Sequence, residues 1–459
     1  MSEPKLVIIG AGPTGLGAAY RLAELGYRNY QVLEARSHVG GLASSERSAN
    51  GFTYDIGGHV LFSHYPYFDR LFDRLMGDEF QQLKRDAWIW MCGRYLPYPF
   101  QQHLHHLPPE TCLECVLGLL DAQRERPDIA RFRTFEELIR GVFGEGIART
   151  FMLPYNFKVW AYPPSAMGTT WIGERVAVVD LKRVLTSVIL HRDDVPWGPN
   201  AMFKYPRYGG TGNLFERIVP YIKDHLRLST PVTAVDIERS EVILDDDSRV
   251  PYDELLTTMP LDLLVSNLRG AVPDPVRSAA TRLSHSGSYI VGIGVDRPTT
   301  SSKCWVYFPQ DDAPFYRLTY LSNYSPDVVP DAATQHSLLA EVSHSPHKPV
   351  SRESVVSDTI AGLISARVLE PCDLTRIVDT HVIERAYTYP TPTIERDDAL
   401  AVLHPYLESR RIYSRGRFGA WRYEVGNMDH SVAQGVEWAD RVLLGQRDDE
   451  LTYLARRGC

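Results

Sequence analysis

Three glycines spaced Gly10-x-Gly12-x-x-Gly15 follow four apolar residues, Leu6 to Ile9. The run fits a buried parallel strand, and the glycines let the backbone turn tightly against a charged group. A helix starting near Pro13 would turn its N–H groups and positive dipole end toward that charge, making a pyrophosphate cradle. The next apolar strand, Tyr30 to Leu33, ends at Glu34, about 20 residues beyond the third glycine, where a carboxylate can take ribose hydroxyls. Strand, glycines, helix, strand and acid in register predict a bound dinucleotide.

Arg36, Gly40, Gly41, Leu42 and Ala43 follow the acid at once. A plain turn would not need paired glycines there. The continuation resembles flavoproteins of the glutathione-reductase and amine-oxidase type, so FAD is the expected cofactor. Tyr54-Asp55-Ile56 reads as a strand ending in Gly57-Gly58, after which His59 sits on a turn where backbone can approach a flat ring. His59 is therefore a candidate flavin contact.

The elements around this start indicate an α/β protein. Residues 100–195 carry helical signals: Thr134 and Glu137 form a capping box before Leu138-Ile139, and Leu181 to Leu190 has helical apolar spacing. Ala87 to Tyr95 reads as one strand, Trp197 to Tyr208 as a loop, and Gly209 to Gly212 as the opening of a helix. β-rich runs between Ser288 and Ser343 suggest an antiparallel sheet carrying a substrate site. A last helix starting near Asp429 would aim its positive end at the flavin pyrimidine. The expected fold is a Rossmann-like FAD-binding domain (1–85, 200–262 and 386–459) with an inserted helical domain (100–195) and an antiparallel β-sheet substrate domain (86–99 and 263–385).

A formal charge of −8 over 459 residues argues against nucleic-acid binding. An anionic substrate must then be met by a local arginine cluster. No stretch approaches the roughly 20 apolar residues of a membrane helix, and no leader precedes the first strand, so a cytoplasmic location is expected. The cysteines at 92, 112, 115, 304, 372 and 459 are scattered like reduced thiols. Cys112-x-x-Cys115 lies close to His103, His105 and His106, but the cysteines share one face of an amphipathic helix. Core packing explains them better than zinc, and no metal is assigned.

Aromatic, Asn and Arg residues gather in short clusters without helix or strand period: Tyr155 to Trp160, Trp171 to Arg175, Trp197 to Asn200, Trp305 to Tyr307, Phe315 to Arg317, Tyr389 to Pro392 and Arg415 to Tyr423. Aromatic faces stack bases and sugars, while Arg and Tyr supply the donors a diphosphate needs. At these residues the chain resembles UDP-galactopyranose mutases, especially the eukaryotic-type branch. The matching segments include GGHVLFSHY from Gly57, PYPFQ from Pro97, PYNFKVWA from Pro154, SRGRFG from Ser414 and WRYEVGN from Trp421, and the match spans residues 1 to about 440.

The resemblance implies isomerisation of a nucleotide-sugar without net redox change, most simply UDP-galactopyranose to UDP-galactofuranose. FAD must first be reduced, by NADPH or NADH. Its N5 then attacks the anomeric carbon, and the diphosphate leaves and returns. Carried over by position, His59, Arg175, Arg317 and Asn200 form the catalytic set, with both arginines clamping the diphosphate. Tyr307, Tyr389 and Tyr423 would donate to it, while Tyr98, Phe100, Gln101, Tyr155 and Phe157 would hold the base. Asn156 and Trp160 complete the substrate set, and Trp305, Asn200 and Asn427 would face the sugar. Gly10, Gly12, Gly15, Glu34, Arg36, Gly41, Leu42, Gly58, His59, Arg417, Asn427, Asp429 and Ser431 form the cofactor set. Arg417 and Arg85 match positions that help a nicotinamide nucleotide dock, whereas Ala87 stands where the family has a hydroxyl. A GDP- or dTDP-hexose is the alternative substrate. A more distant alternative, an FAD-dependent amine oxidase or desaturase, would share the first 45 residues but need an apolar tunnel.

Overall fold

The computed structural model describes residues 3–125, 128–173, 180–193 and 201–445. Leu6–Ile9 is the middle strand of a five-stranded parallel sheet, ordered Ile412–Ser414, Glu254–Thr257, Leu6–Ile9, Tyr30–Leu33, Leu226–Arg227. All four of its side chains are buried. Both faces are covered, which is why the run is apolar without alternation. The first helix, Pro13–Glu24, lies against the last, Met428–Leu444, through glycines. A Cβ on Gly17 would fall 2.7 Å from the Val432 carbonyl oxygen, and one on Gly435 only 2.0 Å from that of Thr14.

A seven-stranded sheet stands beside this unit, ordered Ile377–Thr391, Ser284–Val295, His336–His344, Arg317–Tyr320, Trp305–Tyr307, Ala87–Met91, Arg94–Pro97. Its pairs are antiparallel except Trp305–Tyr307 with Ala87–Met91. The span Ala87 to Tyr95, expected as one strand, is a hairpin. Cys92 and Gly93 turn it with φ of 52° and 71°, the paired positive φ of a type I′ turn. Trp197 to Tyr208, expected as a loop, contains the strand Met202–Pro206 paired with Phe80–Lys84. Its partner lies far upstream, and prolines and glycines around it hid the alternation.

The described helices Pro109–Glu125, Phe135–Ile147, Leu153–Trp160 and Leu181–Leu190 pack around Leu119, Phe135, Ile139 and Ile147. The capping box forms: the Glu137 N–H donates to Thr134 Oγ1 and the Thr134 N–H to Glu137 Oε2, both at 3.1 Å. Cys112 and Cys115 are buried in this core. Burial pushes the Cys115 thiol up to about 11, so at neutral pH it stays protonated as a small core residue. Among the described residues no helix is long and apolar enough to cross a membrane.

Candidate functional site

The glycine turn is forced by contact. Gly10 has φ +95° and faces Thr258, and a Cβ on Gly15 would lie 1.9 Å from the Gly10 carbonyl oxygen. Gly41 packs on Gly12 in the same way, its notional Cβ 3.1 Å from the Gly12 Cα; this is the reason for paired glycines after the acid. Glu34 accepts the Ala11 N–H at 2.6 Å and the Arg36 N–H at 2.9 Å, which fixes its carboxylate beside the turn.

Gly10, Gly12, Glu34, Arg36 and Gly41 line a cavity of about 690 Å³ together with Leu42, Gly58, His59, Asn427, Asp429 and Ser431, while Gly15 packs behind the turn against Gly10 and Ile8. Asn427 caps the last helix, so that helix points its N-terminus into the cavity. Asp429 lies 2.7 Å from His64 Nδ1 and accepts the His64 N–H at 3.1 Å, tying the glycine–histidine loop to the helix start. Arg36 Nη1 and His59 Nδ1 are buried here without a partner among protein groups. A dinucleotide with a flat polar ring would satisfy both, so the residues present fit FAD. Burial pushes His59 down to about 4, which keeps it neutral.

Arg317, Tyr389, Tyr423 and Arg417 line the same cavity. Strand register explains the grouping, because Tyr307 is opposite Arg317 and Arg317 is opposite Glu341 on three adjacent strands. Arg317 donates from Nε and Nη2 to Glu341 at 2.5 and 2.9 Å. Glu341 also accepts the Tyr316 hydroxyl at 2.7 Å and the Gly58 N–H at 3.1 Å, so one buried carboxylate joins the arginine to the histidine loop. Burial alone would raise its pKa, but the Arg317 guanidinium holds Glu341 below the usual carboxylate range.

Tyr98, Tyr155, Trp305 and Tyr307, expected at the substrate, are not among the residues lining this cavity but cluster at the strand beside Arg317. Tyr307 meets Tyr98 and Tyr155 at centroid distances of 5.0 and 5.4 Å, and Arg85 lies over Trp305 at 5.1 Å. The Trp305 Nε1 is buried without a protein partner. Tyr389 and Tyr423 pack edge-on at 5.7 Å, with Arg417 over Tyr389 at 5.5 Å.

Several expected residues lie elsewhere. Phe100 is fully buried against Phe151 in the helical core, and Trp160 supports Tyr389 and Tyr423 from behind with 3% exposure. Gln101 is buried beside Phe100, Phe157 is half-buried on the helix Leu153–Trp160, and Asn156 donates to the Met152 carbonyl within its own segment at 2.7 Å. Arg175 and Asn200 lie outside the described residues. Glu341 was missed, although a lone acid inside the apolar run Leu338 to Val342 was the available signal.

The family model for flavin containing amine oxidoreductases matches residues 13–443. A crystal structure of reduced UDP-galactopyranose mutase superposes with TM-score 0.95 and 43% identity, covering all of this chain and 97% of that one. A Klebsiella pneumoniae protein described as "Probable UDP-galactopyranose mutase" is 22% identical over 271 residues, 58% of this chain and 63% of its own length. A Glycine max 15-cis-phytoene desaturase is 36% identical over 85 residues, 18% of this chain and 15% of its own length. These curated relatives are thus matched over less than two thirds of their length.

Proposed function

We infer that this chain, which belongs to the flavin containing amine oxidoreductase family and within it to the UDP-galactopyranose mutases, is a flavin-dependent isomerase of a nucleotide-diphosphate hexose. The observation that carries the reading is that the glycine cradle and Arg317, Tyr389 and Tyr423 line one and the same cavity. An apolar substrate would not call for a guanidinium and phenols in the wall of the cofactor's cavity; a departing diphosphate would.

Gly10, Gly12 and Gly15, Glu34, Arg36 and the start of the last helix hold FAD. Bound and reduced, FAD supplies at N5 the nucleophile for the sugar anomeric carbon. The chain's own part is to position the sugar and take the negative charge of the leaving group. Glu341 occupies two of the five Arg317 N–H donors, which leaves three for phosphate oxygens. Tyr307, Tyr389 and Tyr423 add hydroxyl donors beside them, and Tyr98 and Tyr155 offer faces to a pyrimidine base. His59, neutral at physiological pH, can lie against the flavin without placing a second positive charge there. UDP-galactopyranose is the substrate and UDP-galactofuranose the product, a reading supported by the resemblance of the chain's motifs to those of the eukaryotic-type branch. NADPH or NADH is the reductant, its docking supported by Arg85 over Trp305 and by Arg417.

Chromatography of UDP-galactopyranose incubated with dithionite- or NADPH-reduced protein tests the reading. Furanose should appear with reduced and not with oxidised flavin. Equal conversion by the oxidised protein, or none by either, would overturn it.

A further inference from the structure

His103-Leu-His105-His106 precedes the helix Pro109–Glu125, and His191 to Asp193 follows the helix Leu181–Leu190. The fold brings these two stretches together. His106 Nε2 lies 2.7 Å, and His105 Nε2 3.1 Å, from the same atom, Asp193 Oδ1. The two rings are 4.2 Å apart and tilted by 40°, so they converge on that oxygen.

The hydroxyl of buried Ser187 settles which nitrogen of His105 carries its proton. Ser187 Oγ lies 2.8 Å from the Gln102 carbonyl, 2.7 Å from the Arg192 carbonyl and 3.1 Å from His105 Nδ1. Its single proton goes to a carbonyl, which leaves an oxygen lone pair to accept Nδ1–H from His105. With Nδ1 donating to Ser187, His105 turns Nε2 toward the same Asp193 oxygen that His106 Nε2 approaches. A divalent ion held by both ring nitrogens and the carboxylate would satisfy all three groups at once.

We propose that His105, His106 and Asp193 form a divalent transition-metal site, best suited to zinc. Two imidazole nitrogens and a carboxylate oxygen are borderline donors that suit zinc, cobalt or nickel over magnesium and calcium. Bonds of about 2.0–2.1 Å in a tetrahedral site put ligand atoms about 3.3 Å apart, so the cluster needs to open by only a few tenths of an ångström. His191 lies edge-on to His105 at 5.9 Å, outside the three-residue ligand group, and water would complete the tetrahedron. Ser187 plays the orienting part that a hydrogen-bonded second group plays for metal-binding histidines. None of these residues lines the flavin cavity, so the site is separate from the mutase chemistry.

The test is titration of the chelator-treated flavoprotein with zinc chloride by calorimetry, and with cobalt chloride by visible absorption. One equivalent should bind, raise Tm with zinc concentration and give the cobalt bands of a tetrahedral site. Asp193→Asn and His106→Ala should lose that equivalent, and Ser187→Ala should weaken it about 10- to 100-fold. The control His64→Ala should keep it, because His64, Asp429 and His430 form a different cluster. Asp193 is exposed, so its variant folds whatever happens at Ser187. Zinc affinity unchanged in Asp193→Asn and Ser187→Ala, or absent in wild type, would overturn the proposal.

Discussion

Arg317→Ala separates the two tasks of one side chain. Arg317 neutralises buried Glu341 and presents its remaining donors to the cavity. Losing a charge-assisted partner for an anion in a partly desolvated site costs about 2–5 kcal/mol. At 1.36 kcal/mol per decade, kcat/KM for UDP-galactopyranose should fall about 30- to 5,000-fold. The same change strands Glu341 without its counter-charge, and breaking a buried pair costs about 3–5 kcal/mol of folding stability. The pH dependence distinguishes this second effect. In the wild type the Glu341 carboxyl is held low, so its stabilisation is present above the unfolded carboxyl pKa and is lost as pH falls through the folded value. In the variant only the Tyr316 and Gly58 hydrogen bonds still oppose burial, so that pKa rises, and the Tm deficit should be largest near neutral pH and shrink as the solution is acidified. Kinetics with dithionite-reduced flavin, flavin absorbance to confirm retention and calorimetric Tm across pH complete the assay. A flavin-loaded variant with kcat/KM within about twofold of wild type would refute the diphosphate role. A Tm deficit that grows on acidification would refute the ion-pair account.

His59 should stay neutral across the physiological range, its NMR resonances titrating near pH 4. As a base held uncharged by burial, it should contribute a loss of stability as pH falls below its unfolded value of about 6.5; a midpoint near 6.5 would contradict this. Gly15→Ala must move the Gly10 carbonyl and should release FAD, seen as a collapse of the visible-to-ultraviolet absorbance ratio. Gly435→Ala should destabilise by about 1–3 kcal/mol through overpacking against Thr14, read as a lower Tm in denaturation; an unchanged Tm would show that the two helices can separate freely.

What the sequence made legible was local. The strands Leu6–Ile9 and Tyr30–Leu33 begin and end where the apolar runs do, because glycine turns and an acid bound them. Thr134 and Glu137 mark a helix start because both halves of that hydrogen-bonded pair sit within one turn. Contacts between remote segments were not legible. Nothing near Glu341 in the chain announces Arg317 or Gly58, and nothing near Gly17 announces Val432; only register and packing join them. Residue type also left facing undecided. Phe100 and Trp160 stand in motif-like strings among cavity aromatics, yet each points into the core behind that wall.

The cradle made by the opening 15 residues rests on a helix that begins only at Met428, and the central sheet takes its outer strand from Ile412–Ser414. During synthesis the first βα unit therefore leaves the ribosome long before its supports exist, and must wait, partly exposed, for nearly the entire polypeptide. A message cut short before codon 412 would yield a product whose coenzyme seat is half built, and chaperones would meet it as an orphaned sheet edge.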